Sequence, residues 1–191
     1  LVAILRTGTD GAKEQAAVAL EYLAVKNDNK VAIVKAGALD PLVALLRTGT
    51  DGAKEHAAVA LEYLAVKNDN KVAIVKAGAL DPLVALLRTG TDGAKEHAAG
   101  ALTNLAINDN NEIAIVKAGA ADPLVSLLRT GTDGAKEQAA GALWNLALNA
   151  DNQIAIAKAG AVDPLVALLR TGTGAMKERA AGALKNLTRG A

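Results

Sequence analysis

Cysteine is absent from the chain, so neither disulfides nor thiol chemistry enters. Phenylalanine is absent too, and aromatic residues make up 2% of the 191 positions. A core without large rings must be built from closely packed small and branched side chains. The net charge is +1, with no basic run and no acidic tail. Non-specific attraction to nucleic acid or to a membrane surface therefore has no electrostatic basis. No apolar run is long enough to span a bilayer, and no secretion-signal pattern opens the chain. Two histidines and one tryptophan leave little material for a metal centre or an aromatic cage. No cofactor is expected.

What is present is a period. The stretch Asp40–Pro41–Leu42–Val43–Ala44–Leu45–Leu46–Arg47–Thr48–Gly49–Thr50 returns at Asp81, Asp122 and Asp163. Pro41, Pro82, Pro123 and Pro164 are each 41 residues apart, and Gly8, Gly49, Gly90, Gly131 and Gly172 keep the same step. Residues 1–41 and 42–82 differ only at Ile4/Leu45 and Gln15/His56. A fixed period of this length means one supersecondary unit stacked into an array, which buries a continuous core without separate globular domains. One domain over residues 1–191 follows, with a partial unit at 1–28 and units near 29–69, 70–110, 111–151 and 152–191.

Each unit reads as three helices. Asn27–Asp28–Asn29 is expected to stop one helix and cap the next, a short one over Lys30–Ala36 closed by Gly37 at a C′ position. Asp40 and Pro41 fit an N-cap and the first position of a medium helix. Thr7–Gly8–Thr9–Asp10–Gly11 is a turn where glycine can take positive φ and Thr or Asp can cap a long helix. In that long helix Ala17, Leu20, Leu23 and Ala24 form one apolar stripe. At 100° per residue Tyr22 lies opposite Leu20 and Ala24, hence away from the core. The set on its side is Gln15, Val18 and Lys26. In later units it becomes His56, Val59, Tyr63 and Lys67, then His97, Gly100, Asn104 and Asn108, then Gln138, Gly141, Asn145 and Asn149, then Arg179, Gly182 and Asn186.

The run from Asn108 to Ala147, NDNNEIAIVKAGAADPLVSLLRTGTDGAKEQAAGALWNLA, resembles the consensus of the armadillo repeat, and the resemblance covers the whole chain. It implies an all-α, right-handed α-α superhelix with three helices per repeat, whose third helices line a concave groove for extended peptides. In that family an asparagine of the third helix holds the peptide backbone. By motif position this is Asn104, Asn145 and Asn186, with Tyr22 and Tyr63 in the equivalent places of the first two units. Near-identical copies point to a recent tandem duplication or an engineered, consensus-type array, and a start at Leu1 rather than Met favours an engineered chain or a fragment. A natural chain of this kind would be intracellular, cytoplasmic or nuclear.

The candidate site is therefore the groove: Asn104, Asn145, Asn186, Tyr22, Tyr63, Trp144, His56, His97 and Gln138. A mid-helix asparagine is unfavourable by a few tenths of a kcal/mol relative to alanine, and three at one period point to a ladder of amides that can pair N–H and C=O of a passing backbone. Gly100, Gly141 and Gly182 fit either close approach of a ligand or close helix packing. Trp144 offers a rim surface or packs on the next unit. Import-receptor grooves carry a tryptophan one turn before each Asn. Here that place is Gly or Val, so such a receptor is not expected. His56 and His97 show no acid/base partner among neighbouring groove positions and read as solvated. Gly49 to Lys54 lacks the Ser/Thr and the preceding strand of a phosphate loop. The expected role is a non-enzymatic peptide-binding scaffold. The alternative is a purely structural array with no cognate ligand. Self-association is expected through an N-terminal end that has no polar cap.

Overall fold

The computed structural model describes residues 1–189, so the last two residues of the unit drawn to 191 lie outside the description. Fourteen helices and no strand are present among the described residues. The short first helices are α3 (Asn27–Lys35), α6 (Asn68–Lys76), α9 (Asp109–Lys117) and α12 (Ala150–Lys158). The medium second helices are α1 (Val2–Thr7), α4 (Leu39–Thr48), α7 (Leu80–Thr89), α10 (Ala121–Thr130) and α13 (Val162–Thr171). The long third helices are α2 (Asp10–Val25), α5 (Asp51–Leu64), α8 (Asp92–Leu105), α11 (Asp133–Leu146) and α14 (Gly174–Leu187). Third helices stack in order, α2 on α5, α5 on α8, α8 on α11 and α11 on α14.

Alanine makes that stacking close. Ala57, Ala58, Ala98, Ala99, Ala139 and Ala140 are fully enclosed between neighbouring helices. Leucines and isoleucines fill the space between the three layers: Leu83, Leu102, Ile115 and Leu124 have no exposed surface. Each such side chain contributes about 1.5–3 kcal/mol by leaving water.

The turns differ from the sequence expectation in three places. Asn27–Asp28–Asn29 is the first turn of α3, not a stop, and its N-cap is Lys26 with no side-chain capping bond. Asn108 and Asn149 do cap α9 and α12 through their side-chain oxygens. The second helices begin earlier than expected, with N-caps such as Ala38, so Pro41 stands in the first turn of α4 behind Leu39 and Asp40. Its missing N–H still costs nothing there, because first-turn N–H groups have no intrahelical partner. Gly8 and its equivalent Gly49 keep φ at −71° and −70°, not a positive value. Space is what requires glycine: a Cβ on Gly49 would lie 2.7 Å from the Leu45 carbonyl oxygen and 3.1 Å from Ala53 Cβ. Positive φ belongs instead to Gly37, Gly78, Gly119 and Gly160, at 77–82°, where each closes a first helix. Thr9, Thr50, Thr91, Thr132 and Thr173 cap the third helices, each accepting from the backbone N–H three residues on.

Candidate peptide-binding groove

The asparagine column is built into the seams between units. Asn104 Nδ2 donates to the Glu62 carbonyl (3.0 Å), Asn145 Nδ2 to that of Thr103 (3.1 Å), and Asn186 Nδ2 to that of Trp144 (3.0 Å). These carbonyls lie in the last turn of the preceding third helix, where the N–H four residues on bonds elsewhere. Val66, Ile107 and Leu148 N–H donate to Tyr63, Asn104 and Asn145 carbonyls instead. The Asn amide thus satisfies an orphan acceptor at a helix end. Where the next unit carries Tyr63 in place of Asn, the preceding helix α2 runs on to Val25, two positions further than its counterparts. One amide proton per Asn is used in this way. Its orientation is fixed, and Oδ1 and the second proton remain for another partner.

The residue before each groove position reaches across to the next unit. Glu21 Oε2 meets His56 Nδ1 at 2.8 Å, and Glu62 Oε2 meets His97 Nδ1 at 2.8 Å. The histidines therefore have carboxylate partners, contrary to the solvated reading. The partners come from the unit before, 35 residues away, outside the intra-unit neighbours that the helical wheel displays. The hydrogen bond to Glu62 holds the His97 imidazole above its ordinary pKa of 6.5, against the opposing effect of burial. Thr103 Oγ1 donates within this seam, with the Gln138 carbonyl as its partner across the joint (2.9 Å) and the Ala99 carbonyl on its own helix. The Gln138 side chain accepts from Arg179 (3.1 Å), which also pairs with Glu137 (3.1 Å).

Trp144 is half-buried against the core, and a Cβ placed on Gly182 would lie 2.5 Å from its ring carbons. Gly141 is covered from the next unit, where Arg179 Nη1 would be 2.6 Å from such a Cβ. The Glu62 carboxylate covers Gly100 in the same manner. The mid-helix glycines thus seat side chains of adjoining units. Tyr22 is 70% exposed at the open end, whereas Tyr63 is half-buried with Lys30 Nζ 6.0 Å from its ring centroid.

One column escaped the sequence reading. Lys30, Lys71, Glu112 and Gln153 are equivalent first-helix positions at the carbonyl ends of third helices. Lys30 Nζ donates to the Ala24 and Val25 carbonyls (2.5 and 3.1 Å), Lys71 Nζ to that of Val66 (3.1 Å), and Gln153 Nε2 to that of Ala147 (3.0 Å). Burial lowers the pKa of both lysines, with Lys67 adding repulsion at Lys30. A signal for the seam pairs does exist in the sequence. Neighbouring copies vary together, Glu with a following His and Thr with a following Gln.

Among the described residues no helix is long and apolar enough to cross a membrane, and no cluster of three metal-ligating side chains occurs. No curated protein matches the sequence. Solved structures do. A designed armadillo repeat protein is 30% identical, with a TM-score of 0.92 over 100% of this chain and 82% of its own. A designed armadillo repeat protein in complex with the peptide (KR)4 is 30% identical, with a TM-score of 0.89 over 97% of this chain and 79% of its own. Computationally designed armadillo repeat proteins for modular peptide recognition reach 0.90 at 28% identity, over 97% of this chain and 79% of theirs. The armadillo/beta-catenin-like repeat itself matches four times, at residues 26–66, 67–107, 108–148 and 149–189, so the chain belongs to that family, as a consensus-type α-solenoid of near-identical units.

Proposed function

We propose that the groove along the third helices binds an extended peptide and catalyses nothing. The observation that carries this is the Asn104–Asn145–Asn186 column. Each amide is held by one bond to the unit before it; half-buried Asn104 and Asn145 keep an acceptor and a donor for a peptide backbone, whereas Asn186 is 4% exposed and has the least to offer. An extended chain advances about 6.6 Å per two residues, so one dipeptide per unit is the register to test. An alternating Lys-Arg peptide is the first probe, because a structural relative is described in complex with one. Glu21 and Glu62 are the carboxylates it would meet, in competition with His56 and His97. The test is a fluorescence anisotropy titration of labelled (KR)4 and a scrambled-charge control, preceded by random-peptide display. Asn145→Ala is expected to weaken binding about tenfold, equivalent to ~1.4 kcal/mol. A display that enriches nothing would support the purely structural reading.

The N-terminal end supports a second property of this 191-residue chain. Leu1, Ile4 and Leu23 are 45%, 42% and 43% exposed, whereas their interior equivalents Leu42, Leu45 and Leu64 are covered by the preceding unit. An apolar face of this kind favours isologous pairing. Sedimentation should show a concentration-dependent dimer that Leu1→Lys with Ile4→Lys suppresses. A monomer across the accessible range removes the idea.

A further inference from the structure

Glu112 stands where its equivalents are donors. At the other joints Lys30, Lys71 and Gln153 give a proton to the carbonyl end of the preceding third helix, five or six residues back. At the third joint the matching carbonyls are Ala106 and Ile107, and neither accepts a hydrogen bond from a described residue. Glu112 is 4% exposed. An ionised carboxylate has no proton to give, and it would face the negative end of the α8 dipole.

We propose that Glu112 serves in the folded array as a neutral acid that donates to the carbonyl end of α8, so that its ionisation loosens the joint between the second and third units. This joint is then sensitive to pH in the same sense as the Glu62–His97 seam, which is strengthened when the imidazole is protonated.

Among the described residues, the helices in closest contact with α9 supply no free cation in the segments nearest the joint. Helix α9 packs on α6, α8, α11 and α12. On α6, Lys71 is committed to the Val66 carbonyl and to Asn68 Oδ1. The last turns of α8 and α11 offer only Thr103, Asn104, Trp144 and Asn145, all uncharged. On α12, Gln153 is neutral and donates to Ala147, while Asp151 is exposed. On α9 itself Asp109 repels a second negative charge, and with burial, the larger cause, it pushes the Glu112 pKa up from 4.5 to about 7. The folded pKa is the higher one, so this joint is strongest below pH 4.5 and weakens as pH rises through 7.

The test reads two quantities on the whole chain. Side-chain carboxyl NMR should give Glu112 a midpoint near 7, with its resonance assigned by loss in Glu112→Gln. Amide protection factors in α9, divided by those in the equivalent α6, should fall at least tenfold between pH 5 and pH 8. Glu112→Gln and Glu112→Lys place at this joint side chains that the protein already uses at Gln153 and Lys71. Both should hold the ratio constant. A midpoint near 4.5, a ratio in the parent that does not move, or a fall that persists in the Gln and Lys variants would each overturn the proposal.

Discussion

Leu102→Ala is expected to cost about 2–5 kcal/mol and to split the unfolding transition in two. Leu102 lies in α8, has no exposed surface, and sits between α5 and α11 in the middle of the array. The cost combines the lost transfer energy of the leucine side chain with the cavity left behind. That cavity cannot collapse easily, because the alanines around it, Ala98, Ala99 and Ala101, are already enclosed. Total stability for a chain of this kind is on the order of 5–15 kcal/mol, so the change is a large fraction of it. In a stacked array each unit is held by its nearest neighbours. A weakened central unit therefore uncouples the two halves, whereas Leu20→Ala at the open end should only deepen fraying. Urea melts followed by circular dichroism and by Trp144 fluorescence should coincide in the parent and separate in Leu102→Ala. Coincident transitions with an unchanged slope would show that coupling does not depend on this contact.

Replacing Asn104, Asn145 and Asn186 together by alanine should lower stability by roughly 2–3 kcal/mol even with no peptide present. Each change strands a carbonyl, Glu62, Thr103 or Trp144, at a penalty of about 1–3 kcal/mol. Alanine returns roughly 0.6 kcal/mol of helix propensity at each site. The net effect is close to 1 kcal/mol per site, reduced if the helix ends rearrange. Helix α2 shows the available rearrangement, since it continues to Val25 where its follower carries Tyr63. Backbone chemical shifts of residues 65–66, 106–107 and 147–148 should accordingly become helical in the triple variant. Chemical denaturation reads the energy. A triple variant as stable as the parent, with unshifted helix ends, would mean that these bonds contribute nothing. Affinity lost without stability would leave the column a purely ligand-facing device.

The sequence alone determined the unit and its helices. Proline and glycine at a 41-residue step, one apolar stripe per long helix and threonine before each stripe are local signals. Side-chain periodicity translates them directly into three helices and a buried face. It also placed Tyr22, Asn104, Asn145 and Asn186 together on the side turned away from the stripe. What each of those residues touches was decided by tertiary structure. The contacts that matter join residues 35 to 42 positions apart across a seam: Glu62 to His97, Thr103 to Gln138, and Asn186 to the Trp144 carbonyl. A helical wheel of one unit contains neither partner's neighbour. The same limit hid Glu112. Its position reads as ordinary first-helix surface, and only the packing of α9 on α6, α8, α11 and α12 buries it, to 4% exposure. Periodicity reports which face is inward. The register between units sets which polar groups meet there, because it is fixed by how alanine-lined helices settle against one another.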